Sequence, residues 1–138
     1  MTSRTQITES LINQFLERLA SQDAEGLGEL FAEEIDWYVP GGEELPWTGR
    51  RSRREHVAQY FLTMWPAFVA GESTADLGRT VIDGRDAVVF SRFSHTVAAT
   101  GKRFETPVAM HFTISDDGRI ERMHLYEDTL TVSDAFRR

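Results

Sequence analysis

Residues 88–128, VVFSRFSHTVAATGKRFETPVAMHFTISDDGRIERMHLYED, decide the fold. Apolar and polar side chains alternate through this stretch, and Thr100-Gly101 and Asp117-Gly118 break it at hairpin spacing. Successive side chains of a strand point to opposite faces, so fixing the turns fixes the faces. With residues 99 and 102 flanking the first turn and 116 and 119 the second, one face carries three rows: Phe93–Val108–Glu127, Ser91–Met110–Leu125 and Val89–Phe112–Met123. The opposite face carries Arg92–Ala109–Tyr126, Phe90–His111–His124 and Val88–Thr113–Arg122. The first set is almost wholly apolar and is expected to meet helices. The second is mixed and suits a subunit interface. His95 falls on the first face, beside the Phe93 row.

N-terminal to this meander the period changes. Ile7, Leu11, Ile12, Phe15, Leu16 and Leu19 form one apolar stripe of a helix over residues 5–21. A shorter helix carries Leu27, Leu30 and Phe31, with Asp23 as its N-cap. Ile35-Asp36-Trp37-Tyr38-Val39 reads as a strand ending at Pro40-Gly41-Gly42. Ser52-Arg53-Arg54-Glu55 has the form of a capping box, opening a helix that carries Val57, Tyr60, Phe61, Met64, Trp65 and Phe68. After Gly71 strands follow, punctuated first by Asp83-Gly84. The expected order is α-α-β-α-β-β-β-β, a single α+β domain over residues 1–138.

Composition narrows the chemistry. The chain has 138 residues, with 15 Lys and Arg against 22 Asp and Glu, a net charge of −7. That acidity opposes binding to a phosphate backbone, so no nucleic-acid partner is expected. Zero cysteines exclude disulfides, thiolate metal sites and cysteine nucleophiles. The opening MTSRTQITES lacks the apolar core of a signal peptide, and no run approaches a membrane span. The expectation is a cytoplasmic protein with no membrane partner. No phosphate-cradling loop, dinucleotide fingerprint or nucleophile elbow occurs, so no cofactor is expected either.

The order of elements resembles the nuclear transport factor two superfamily, and within it the SnoaL-like branch. The residues carrying the resemblance are Phe31-Ala32-Glu33-Glu34 before the first strand and Trp47-Thr48-Gly49-Arg50 before the Ser52 helix. Thr100-Gly101-Lys102, Asp117-Gly118-Arg119-Ile120 and Tyr126-Glu127-Asp128 continue it through the sheet. The resemblance implies a cone-shaped fold, a cystatin-like α+β barrel in which a curved antiparallel sheet wraps the N-terminal helices. It also implies an apolar pocket at the open end and a homodimer through the outer sheet face. Members include ketosteroid isomerases, epoxide hydrolases, polyketide cyclases and non-catalytic binding domains, so fold alone does not choose the activity. The isomerase base falls here at Val39, and its oxyanion donors fall at Phe15 and Met110, none of which can move a proton. The acid of the hydrolases and cyclases falls at or near Leu125.

What remains ionisable on the inner face is His95 and Glu127, the candidate catalytic pair. Glu127 lies two strands from Phe93, about 10 Å away by strand spacing. A glutamate and a histidine there can face each other across a ligand, an arrangement the resemblance associates with some ring-forming cyclases. The alternative leaves Glu127 in water at a strand end and His95 capping a polar patch. The expected ligand is a hydrophobic, polyketide- or terpenoid-like small molecule. Its walls would be Phe15, Trp37, Val39, Tyr60, Met64, Trp65, Ser91, Phe93, Met110 and Leu125. The corresponding activity is cofactor-free acid/base isomerisation, cyclisation or epoxide opening; the competing reading is a non-catalytic binding or dimerisation domain.

Other polar residues read as structural. Asp36 and Tyr38 have outward parity, and Asp128 suits a cap for a C-terminal turn. His111 and His124 are cross-strand neighbours without a third ligand, so an interface pair is favoured over a metal site. Arg50, Arg51, Arg53 and Arg54 fit either an anionic partner or solvated pairing with the Glu43-Glu44 loop.

Overall fold

The computed structural model describes residues 3–138. Helix α1 (Arg4–Ala20) starts at a capping box in which the Ser3 hydroxyl accepts from the Gln6 amide, while the Gln6 side chain accepts from the Ser3 amide. Thr8, Leu11, Ile12 and Phe15 are its buried face. Asp23 caps α2 (Ala24–Glu29) through the Gly26 amide at 2.9 Å. Phe31 does not continue that helix but opens β1 (Phe31–Val39), which is longer than its central alternation suggests.

The Ser52 capping box does not form. Gly49–Arg53 is instead an edge strand, β2, paired antiparallel with β1. Helix α3 (Glu55–Met64) starts two residues later, without a side-chain cap. The local capping signal loses to tertiary pairing, because Arg54 is engaged with β1. Its amide donates to the Glu33 carbonyl and its Nε to the Phe31 carbonyl, at 3.0 and 2.9 Å. A 3₁₀ turn (Trp65–Ala67) follows α3.

Strands β3 (Thr74–Asp83), β4 (Asp86–Thr96), β5 (Arg103–Ile114) and β6 (Ile120–Glu127) form the meander, and α4 (Thr129–Phe136) closes the chain. Asp128 caps α4, accepting from the Thr131 amide and hydroxyl at 3.2 and 2.7 Å. The sheet has the order β2-β1-β6-β5-β4-β3 and is curved but unclosed, with β2 and β3 as edges. All its pairings are antiparallel except that of β1 with β6.

Register is the principal correction. The β5–β6 pairing matches the expected one, with Val108 opposite Glu127, Met110 opposite Leu125 and His111 opposite His124. Between β4 and β5, however, Phe93 faces Thr106, Ser91 faces Val108 and Val89 faces Met110. The slip is two residues, because the turn holds Ala98–Gly101 rather than Thr100-Gly101 alone; Val97 donates to the Lys102 carbonyl at 2.8 Å. Tertiary bonds set this length. The Ala98 amide donates to the Ala67 carbonyl, and the Thr100 hydroxyl to the Ala135 carbonyl. An even slip leaves every side chain on its expected face.

The core lies between the inner sheet face and the helices. Phe15, Phe31, Trp37, Phe112, Ile114 and Ile120 are almost completely buried. Phe15 meets Phe112 edge-on at 4.9 Å and Phe31 at 6.3 Å, joining α1 to strands β5 and β1.

Candidate functional site

Packing does not fill the open end of the sheet. A cavity of about 480 Å³ lies between the second half of α1, α3 and the inner faces of β3–β6. This falls in the range of small-molecule sites. Phe15, Tyr60, Met64, Trp65, Phe93, Met110 and Leu125 line it, together with His95 and Glu127.

Three expected wall residues lie elsewhere. Trp37 and Val39 are fully buried, Trp37 beneath Phe31, Tyr60 and Phe61. Ser91 is buried in the sheet next to Val108, outside this cavity. Parity correctly turned all three inward, but the ring stack of α3 stands between Trp37 and the open space. Two of these three residues carry a buried donor without a partner among the described residues, the Trp37 indole N–H and the Ser91 hydroxyl. Sequence reasoning missed Leu16, Leu19, Phe68, Phe104 and Thr106 as wall residues. Leu16 and Leu19 belonged to the stripe assigned wholly to the core. Phe104 and Thr106 share the inward parity of Val108, a signal that extending the rows would have caught.

His95 sits at the β3 side of the cavity. Its ring stacks on Phe68 at 4.1 Å, and Nδ1 meets the Ser73 hydroxyl at 2.7 Å. Burial, aided by the nearby Arg103 cation, lowers its pKa to about 4. The imidazole is therefore neutral at pH 7. One nitrogen is engaged by Ser73, leaving Nε2 as its remaining polar atom.

Glu127 closes the other side, at the end of β6. Burial, with the Asp128 charge beside it, raises its carboxyl pKa to about 7. Tyr60 shares this corner, and its hydroxyl is held well above the ordinary phenol range by burial and by the Glu127 carboxylate. Tyr60 is thus a neutral donor, whereas Glu127 populates both protonated and ionised forms near neutrality. The usual order of carboxylate and imidazole is inverted in this cavity.

The basic run is accounted for locally, and not by the Glu43-Glu44 loop. Arg50 lies over the Tyr38 ring at 4.7 Å and 4.0 Å from Asp36. Arg53 approaches Glu33 and Glu55. Arg51 donates to the Trp47 carbonyl at 2.7 Å and covers the outer side of Tyr60. On the outer sheet face, His124 meets Asp36 at 2.8 Å and His111 meets Asp86 at 2.9 Å. Those carboxylates lie below their usual range, chiefly through these hydrogen bonds. Among the described residues no group of three or more His, Asp or Glu is placed to hold a metal ion, and no helix is long and apolar enough to cross a membrane.

Comparison with known proteins places the same architecture elsewhere. The profile of the SnoaL-like domain matches residues 12–123. No curated protein matches in sequence. Among solved structures, an NTF2-like protein from Burkholderia thailandensis is 22% identical, with a TM-score of 0.82 and all of both chains covered. TerC, co-crystallised with polyporic acid, is 16% identical with a TM-score of 0.79, covering 94% of this chain and 97% of its own. SalBIII, described as an epoxide hydrolase/cyclase-like enzyme in pyran ring formation of the polyether salinomycin, is 19% identical. Its TM-score is 0.71, over 90% of this chain and 92% of that one.

Proposed function

Because this chain belongs to the SnoaL-like domain family, we propose that it is an acid/base enzyme acting on an apolar, oxygen-bearing small molecule, with Glu127 as the group that moves the proton. The observation that carries this reading is a carboxyl group on the wall of an otherwise apolar cavity, titrating at about pH 7. A general acid/base works best when its pKa lies near the working pH. As the carboxylate, Glu127 takes a proton from a substrate hydroxyl or an activated C–H. As the acid, it returns a proton to a substrate oxygen or carbon. The Tyr60 hydroxyl, in the same corner, donates a hydrogen bond to the oxygen on which charge develops. The resulting classes are isomerisation, ring closure and epoxide opening. The likeness to SalBIII and TerC supports a small-molecule ligand.

His95 takes a different part from the one expected of it. A neutral ring with a pKa of about 4 is a weak base at pH 7, and it stands far from Glu127. It is a hydrogen-bonding group for the ligand. The test is turnover of a panel of hydroxy-epoxides and β,γ-unsaturated ketones by wild type and Glu127→Gln. Loss of activity by at least 100-fold is expected in the variant, and full retention would overturn the reading.

We also propose that two copies pair through the outer sheet face. Phe90 and Tyr126 stand about half exposed there, on neighbouring strands flanking β5. Sedimentation of wild type against Tyr126→Glu tests this, with a dimer expected only for wild type.

A further inference from the structure

The corrected register separates the two ionisable cavity groups. Glu127 is opposite Val108, and Val108 is opposite Ser91, so Glu127 shares a row with Ser91. His95 pairs with Phe104, four positions further along β4. Two strand spacings across and four residues along place their Cα atoms about 16 Å apart on a flat sheet. Side chains of three or four bonds reach about 5 Å each. Side chains on a sheet face stand roughly perpendicular to it, so the two head groups line the same cavity at separate points.

The wall between them is apolar: Phe93, Phe104, Met110 and Leu125. The Thr106 hydroxyl there is already used, donating to the Pro107 carbonyl and accepting from the Asp128 amide, both at 3.1 Å. The cavity thus has a polar corner at Glu127 and Tyr60, a polar corner at His95 and Ser73, and a hydrophobic middle.

We infer that the cavity takes an elongated, uncharged ligand bearing two oxygen functions at opposite ends, one held at Glu127 and Tyr60 and the other at His95. This rests on the acid/base reading above for the chemistry at Glu127, and adds the requirement for a second, remote oxygen. With the side chains standing off the sheet, about 3 Å of hydrogen bond at each end and the inward curvature of the sheet put the oxygens roughly 6–11 Å apart. The ring at the far corner carries no charge to pair with a carboxylate, so a hydroxyl or carbonyl suits it better than an anion.

The experiment is calorimetric binding of a ladder of ω-hydroxy-2-alkanones, from 5-hydroxypentan-2-one to 12-hydroxydodecan-2-one, each measured against the 2-alkanone lacking the hydroxyl. The ratio of the two affinities reads the second contact free of the chain-length effect. For wild type the hydroxyl is expected to weaken binding in the shortest members and to strengthen it three- to tenfold at intermediate length. His95→Phe, which keeps an aromatic ring on Phe68, is expected to abolish that gain, and Ser73→Ala to reduce it. A hydroxyl that weakens binding at every length overturns the inference, as does a gain undiminished in His95→Phe. Because the readout is binding, it separates the two readings. A length-dependent gain without turnover in any substrate panel sinks the catalytic proposal alone, while turnover by Glu127 with no such gain sinks this one alone.

Discussion

Glu127 and His95 line one cavity from strands two apart, but their rows are offset by four residues of β4. Their environments push the carboxyl up to about 7 and the imidazole down to about 4. Burial disfavours the charged form of each, so both are held towards neutrality. Their consequences for stability have opposite signs.

For Glu127, the folded pKa of about 7 exceeds the ordinary 4.5. The stability that goes with its protonated form is full below pH 4.5 and is lost as pH rises through 7. Glu127→Gln removes that dependence. Relative to wild type, the variant is expected to gain on the order of 2–3 kcal/mol between pH 4 and pH 8. For His95, the folded pKa of about 4 lies below the ordinary 6.5, so its contribution is present above pH 6.5 and lost as pH falls through 4. His95→Phe should gain relative to wild type on acidification. Urea denaturation of the three proteins across this range checks both signs, and a pH-independent difference for either variant would contradict the assigned burial.

Tyr60→Phe retains the ring that packs on Trp37 and Phe61 at 4.9 and 4.8 Å. Only the hydroxyl at the Glu127 corner is removed. Turnover should fall about 10- to 100-fold, in the manner of a lost oxyanion donor, with a melting temperature within a few degrees of wild type. Unchanged kcat would remove Tyr60 from the chemistry.

Met64→Trp enlarges a half-buried side chain on the cavity wall, at the end of α3. Filling open space here avoids the strain of overpacking a closed core. Ligand-induced thermal stabilisation should disappear while the unliganded melting temperature holds or rises. Persistence of the ligand shift would place binding elsewhere.

Gly101 adopts φ +74°, and a Cβ built on it meets nothing within 4 Å. Gly101→Ala should therefore cost only the left-handed backbone penalty, about 1–2 kcal/mol, measured by denaturant unfolding. A neutral result would mean that the turn relaxes out of this conformation.

Much of the architecture was legible in the chain. The stripe of α1, the Asp23 cap, the cross-strand neighbours His111 and His124, and the outward parity of Asp36 follow from helical and strand periods. These are local properties, set by side-chain spacing. The edge strand Gly49–Arg53 was not legible, because its arginines and serine resemble a helix start and only β1 makes them a strand. Nor did inward parity distinguish Trp37, buried beneath Tyr60 and Phe61, from Phe93, which faces the cavity.

By itself the sequence determined which side chains enter the cone, including the two ionisable ones, because strand faces have a period of two and survive an even slip. Only the tertiary structure decided how far apart those two stand. The Ala98–Gly101 turn takes its length from bonds to Ala67 and Ala135, residues distant in the chain. Those two added residues set the row of Glu127 four residues of β4 from His95 instead of two, the separation on which the two-ended reading of the cavity rests.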